Sequence, residues 1–491
     1  MVFSESRHSF RRSERTFRGH AERGEGLPQS GAKPFSSTIA LIALGCAVGF
    51  LPACADRARD AVRPTIVLVV LDTVRADRVG PSAPPGERAA TPALDGFARN
   101  AVVYRQARSP APLTMPAMAA LMTGRYAHAV GITGHSRSDR LAPASDTLAA
   151  IARRAGYRTA AVVTNPWLAN PATGFARDFE TFLSGRTLGR GRTRMHAAEV
   201  VDAAERILES SDTRPTLLWV HFLDAHMPYT DGEIETRITK DFARSATSRS
   251  RIFFETPYPP DEIAATRNAY DSAIKRIDEA LARLFARLPS NAIVVVLADH
   301  GESLGEHGLH FAHDFSLYDE LLRVPLMVRA PGVAPAHDST AVSLIDVLPT
   351  ICALAALDCG ENLDGLRLPR TGGDEDPSRF AQRTLYAASS PARARYRCPW
   401  LLVPGVEGRL TMALTGQRKV IRIPTPSGLT YRAYDLANDP AESIDRFDAS
   451  IDRARASALD TWSVAATSAQ RAPMELPKPL ARELRELGYL E

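Results

Sequence analysis

The chain has 491 residues, of which 45% are hydrophobic and 24% charged, and its formal net charge is +4. That length holds one large α/β domain with a smaller one beside it. The composition excludes a wholly disordered or fibrous chain, and so small a charge gives no argument for nucleic-acid binding.

Residues 1–35 are polar, rich in Ser and Arg and without hydrophobic period, with Arg7, Arg11, Arg12, Arg15, Arg18, Arg23 and Lys33 in the stretch. They predict a disordered basic segment. An apolar run from Ser37 to Ala53 follows. It is short for a membrane span and suits the core of a signal sequence, so residues 36–54 are read as a signal sequence or an anchor. The run closes in LPAC. This word resembles the lipobox of bacterial lipoproteins, which would make Cys54 the lipidated first residue of an exported, membrane-tethered cell-envelope protein. With Cys46 removed and Cys54 modified, Cys352, Cys359 and Cys398 remain. One disulfide is open to them after export, Cys359 with Cys398, and none has zinc-ligand spacing.

From Pro64 the chain reads PTIVLVVLDTVRADRVG. A continuous apolar run rich in β-branched residues predicts a strand buried on both faces, ending in Asp72. Asp72 alone reads as a turn former or helix cap. After a helix opened by Thr91 and Pro92 comes SPAPLTMPAMAALMTG, in which Pro116 predicts the start of a helix and puts Thr114 near its N-terminus. There Thr114 is either an N-cap or a hydroxyl in an anion-favouring field. Asn165 lies where a strand runs into a loop. A helix over Met195–Leu208 precedes TLLWVHFLDAHMPYT, a further buried strand with His221 as a core histidine, leading to Asp224 and His226. Residues 232–258 form a polar insertion, and Pro260–Leu288 a long amphipathic helix with its Asp and Arg side chains on a solvated face.

The strongest stretch is NAIVVVLADHGESLGEHG, Asn291 to Gly308. Again a buried strand ends in acid and imidazole, Asp299 and His300, both of which need partners if left unpaired in a core. In open α/β sheets ligands gather beyond the carboxyl ends of the strands. Asp72, Asp299 and His300 therefore predict one divalent-metal site, with a satisfied Asp–His pair as the plainer alternative. Beyond it lie His307, His310 and His313. A Pro-, Gly- and charge-rich linker spans Gly360–Arg379. Domain bounds of 62–375 and 380–491 follow.

The words DHGESLGEHG and LYDELLRVPLMVRAPG resemble the sulfatase family of the alkaline phosphatase superfamily. That resemblance implies an α/β fold with a large mixed central sheet sandwiched by helices and a small C-terminal antiparallel sheet, onto which a last helix, Leu476–Leu487, would pack. Asp72, Thr73, Arg75 and Asp77 fit a D-T-x-R-x-D branch, in which Arg75 and Asp77 form a local ion pair. The family places an oxidisable Cys or Ser where this chain has Thr114, and an Arg where it has Met118, so no formylglycine is expected. Threonine is the direct nucleophile in phosphoethanolamine and phosphoglycerol transferases of the superfamily. Two further anion-contacting positions hold Thr164 and Pro166, leaving Asn165 to take over a contact. The word H-x-P-Y gives His226, and the position ahead of LYDE gives His313, as contacts to the ester or acids for the leaving group. The resemblance thus implies one metal cation (Ca, Mg, Mn or Zn) on Asp72, Thr114, Asp299 and His300. It implies catalysis by Thr114, His226 and His313 on a small sulfate or phosphate ester, or on an envelope lipid or glycan. A transferase and a non-catalytic binding protein on the same scaffold are the alternatives.

Overall fold

The computed structural model describes residues 63–83, 88–229, 236–244, 258–314, 316–372, 378–392, 408–465, 472–487 and 489–490. The basic segment, the lipobox, Cys398 and most of the 232–258 insertion lie outside them. Among the described residues no helix is long and apolar enough to cross a membrane.

The large sheet has eight strands: β1 (Ile66–Leu71), β2 (Val102–Arg108), β3 (Arg158–Val162), β4 (Thr181–Leu183), β5 (Thr216–Phe222), β6 (Ile293–Leu297), β7 (Leu326–Arg329) and β8 (Ala336–Ser343). Their order is β4-β3-β5-β1-β6-β7-β2-β8. All neighbours run parallel except β7, which is antiparallel to both β6 and β2. The reason for the continuous apolar runs is visible in burial: every residue of β1, β5 and β6 is buried, as expected of strands covered on both faces. Flanking helices include Thr114–Thr123, Ala197–Leu208, Pro260–Arg287 and Val347–Ala355.

The 28-residue Pro260–Arg287 helix follows its sequence pattern closely, with one difference. Asp278 is not on a solvated face; it is buried and accepts from Ala93 and Leu94 N–H at 2.9 and 2.8 Å, satisfying free donors of the Pro92–Ala98 helix.

The second sheet is antiparallel, β12-β11-β10-β9, built from β9 (Thr384–Ala392), β10 (Gly408–Thr415), β11 (Arg418–Thr425) and β12 (Gly428–Asp435). The Ala449–Ala465 helix lies on it, with Leu459 in a small apolar cluster beside Ala413, Val420 and Ala433.

Two expectations are corrected. The last helix, Lys478–Glu486, packs on the large domain, because Leu480 and Leu484 join the main core and the buried Glu483 finds Arg186 and the Thr193 N–H there. The disulfide is Cys352–Cys359, not Cys359–Cys398. The turn that ends the Val347–Ala355 helix, with Ala356 left-handed, folds Cys359 back towards Cys352.

Candidate active site

Three parallel neighbours at the sheet centre deliver the site from their carboxyl ends. Asp72 follows β1 directly and donates its N–H to Phe222 O at the end of β5. Asp299 and His300 lie just beyond β6. Thr73 turns the chain with a left-handed φ of 63°, its hydroxyl 2.7 Å from the carbonyls of Asp72 and Ala225. Gly301 is needed for close approach: a Cβ there would collide with the Glu320 carbonyl.

Asp72, Asp299 and His300 each offer a ligand atom within 4.8 Å of the others, and all three are fully buried. Asp72 Oδ1 and Asp299 Oδ2 have no hydrogen-bond partner among the described residues, a costly state for buried carboxylates. His300 Nδ1 lies 2.9 Å from Gly301 O, so this nitrogen carries the proton and Nε2 keeps its lone pair. Burial, reinforced by the charge of Asp299, raises Asp72 well above the usual carboxylate range. Burial likewise pushes Asp299 up to about 7 and, with His313 nearby, holds His300 down to about 4. Acids pushed up and an imidazole pushed down are what a buried ligand set shows without its cation; a divalent ion would bring the acids down and keep the imidazole neutral. The residues fit such an ion, and the triad is a candidate metal site.

Thr114 is the first residue of its helix, which begins two positions before Pro116. The N-cap is Leu113, so Thr114 does not cap. Its Oγ1 instead lies 3.2 Å from His300 Nε2 and 3.5 Å from Asp72 Oδ2. Asn165 caps the short Pro166–Ala169 helix through Oδ1, which accepts from Trp167 N–H at 3.0 Å. That turns its Nδ2 towards Asp72 Oδ2 at 3.1 Å and Tyr489 Oη at 3.0 Å.

His226 and His313 complete the pocket. Their rings pack 4.9 Å apart, and His313 packs 4.7 Å from His300. His226 Nδ1 donates to Met227 O at 2.6 Å, and its Nε2 faces Tyr489 Oη at 2.9 Å. His313 Nδ1 faces Glu302 Oε1 at 3.1 Å, leaving Nε2 as the free nitrogen. Burial holds His313 down to about 4 and pushes Glu302 up to about 8.

The structure thus brings together Asp72, Thr114, Asn165, His226, Asp299, His300 and His313. His221 is buried as a core histidine, yet its Nε2 is also 3.5 Å from Asp72 Oδ2. Arg75 and Asp77 form the local pair at 2.6 Å, and Arg75 extends to Glu306. His307 is elsewhere, stacked on Tyr318 and bonded to Glu320. Three contributors were missed. Glu302 sits within the DHGES word, where its acid next to a metal word was the available signal. His135 accepts from Met115 N–H at 2.8 Å, and Tyr489 reaches in from beyond the last helix; neither carries a sequence signal.

The sequence model of the family described as Sulfatase matches residues 64–357. The choline-sulfatase of Rhizobium meliloti is 34% identical over 106 residues, 21% of this chain and 20% of that protein. The uncharacterized sulfatase YidJ of Escherichia coli is 24% identical over 366 residues, 63% of this chain and 72% of that one. Among solved structures, the phosphonate monoester hydrolase of Agrobacterium radiobacter superposes with a TM-score of 0.63 at 19% identity, covering 85% of this chain and 98% of that one.

Proposed function

The chain belongs to the sulfatase family as a sulfatase-like ester hydrolase, and from that premise we propose that it cleaves sulfate or phosphate esters through a covalent intermediate on Thr114. The observation that carries this reading is the position of the Thr114 hydroxyl, first on its helix and within 3.5 Å of both Asp72 and His300. One divalent cation (Ca, Mg, Mn or Zn) would be held by Asp72, Asp299, His300 and the Thr114 oxygen. When bound, it supplies Lewis-acid stabilisation of the ester oxygens and eases ionisation of the threonine.

The chain's own groups do the rest. Asp72 Oδ2, 3.5 Å from Thr114 Oγ1, is placed to accept the threonine proton. Thr114 Oγ1 then bonds to sulfur or phosphorus while the ester oxygen leaves. Asn165 Nδ2, bonded to Asp72 Oδ2 and Tyr489 Oη, orders the anion side of the pocket, and His226 and His313 assist the leaving oxygen. Water releases the group from Thr114. An acceptor alcohol in place of water makes the same centre a transferase, a second reading favoured by threonine at the nucleophile position. The same reading places the enzyme at the cell envelope, tethered through Cys54, and draws support from the LPAC word and the Cys352–Cys359 disulfide.

The test is intact-mass spectrometry of metal-loaded protein after brief exposure to aryl sulfates and phosphodiesters, with Thr114→Ala alongside. A sulfate- or phosphoryl-sized adduct on Thr114, absent from the variant, is expected. Turnover that survives in Thr114→Ala would sink the nucleophile assignment.

A further inference from the structure

The anion side of this pocket is poor in donors where its own chain segment passes, since Thr164 gives its hydroxyl to His221 O at 3.0 Å and Pro166 has no N–H. Into that side comes a phenol from a remote part of the chain. Tyr489 Oη lies 3.0 Å from Asn165 Nδ2 and 2.9 Å from His226 Nε2. Its ring meets His135 edge-on at 4.6 Å and His226 at 5.3 Å.

The placement is built from several points. Tyr489 N–H donates to Leu484 O at 2.8 Å. Leu480 and Leu484 hold the preceding helix in the main core, and Glu483 accepts from Thr193 N–H at 3.0 Å. The donor directions are also fixed. His226 Nδ1 is committed to Met227 O, so Nε2 of the neutral ring accepts, and the phenol proton points to it. Asn165 Oδ1 is committed to Trp167 N–H, so its amide nitrogen donates to the phenol oxygen.

We propose that Tyr489 is a substrate-contacting residue, whose phenol O–H turns from His226 Nε2 to a non-bridging oxygen of the sulfuryl or phosphoryl group held at Thr114. Asn165 keeps its bond to the phenol oxygen during the turn and orients it. The proposal rests on the ester-transfer reading above and adds the group that supplies the missing anion contact.

Tyr489→Phe keeps the ring between His135 and His226 and deletes only the hydroxyl. Calorimetric titration of the metal-loaded full chain with inorganic phosphate and with sulfate is the first readout; kcat and KM on an aryl sulfate and an aryl phosphodiester are the second. Loss of one hydrogen bond to a charged group predicts anion binding weaker by about tenfold in Y489F. A second hydroxyl-free variant, Tyr489→Met, should show the same loss and separates it from ring packing. Unchanged anion affinity in both variants would make Tyr489 a packing residue and overturn the proposal. Tighter binding overturns it too, by showing the phenol to be a plug. Wild-type protein that binds phosphate but turns over no ester defeats the ester-transfer reading while the comparison with Y489F still decides the contact. Wild-type protein that binds neither anion defeats both.

Discussion

Among the described residues, Asp72 and Asp299 stand buried with one unpartnered oxygen each, beside an imidazole whose proton is committed to a backbone carbonyl. Their titration follows from that placement. Asp299 at about 7 and Glu302 at about 8 lie above the ordinary values of about 3.9 and 4.3. Between pH 6.5 and 8 the metal-free native state therefore holds protons that the unfolded chain has released, and its stability falls as pH rises. Below pH 6.5 the sign is contested. His221 at about 3 and His300 and His313 at about 4 stay neutral when folded, while their unfolded counterparts take up protons. A bound cation keeps Asp72 and Asp299 ionised and removes their share of the slope. The gap in melting temperature between metal-loaded and chelator-treated protein is thus expected to widen from pH 6.5 to 8, read by differential scanning fluorimetry. A gap that stays constant would show that these carboxylates hold no ion. The triad was legible in the sequence because each member abuts an apolar run that can only be a buried strand. Tyr489 was not, for it stands 263 positions from His226 and only tertiary packing brings the two together.

At the scale of elements, strand register aligns the acids. Val70 of β1 pairs with Leu297 of β6, so two positions further along Asp72 and Asp299 leave the sheet side by side. A slip of one residue would turn one of them to the other face. The smaller sheet is joined to the larger part through charge. Lys419 of β11 is fully buried, 2.9 Å from Asp319 and 2.8 Å from Glu442, and Asp319 also binds Arg108 of β2. Lys419→Met leaves buried carboxylate without its cation and should cost about 3–5 kcal/mol, measured by urea unfolding of the full chain. A loss below about 1 kcal/mol would place the pair with ordinary exposed ion pairs. The family resemblance implied the small antiparallel sheet but not this junction. Lys419 there looks like one more polar strand residue, and its partner Asp319 lies 100 positions away.

At the scale of the whole molecule, the mixed central sheet, the long Pro260–Arg287 helix and the separate antiparallel sheet were readable from periodicity and family words, though the strand order was not. The docking of the last helix was not, since an apolar stripe such as Leu480 and Leu484 states that a helix packs without stating on what. That docking closes the pocket with a neutral group. Among the described residues, the side-chain hydrogen bonds that reach Thr114, Asp72, Asn165, His226 and Tyr489 come from hydroxyls, imidazoles and amides, none from Lys or Arg. A dication set against Asp72 and Asp299 leaves the centre with no net charge to spare. Such a centre accommodates a single negative charge at lower electrostatic cost than two. Sulfate monoesters and phosphodiesters carry one; phosphate monoesters carry nearly two at neutral pH and lose one near a pKa of about 6. Relative to a phosphodiester, turnover of a phosphate monoester should therefore rise as the pH is lowered through that value, and a ratio that stays flat would argue against charge selection. The enzyme would then sort esters by valence before it sorts them by shape.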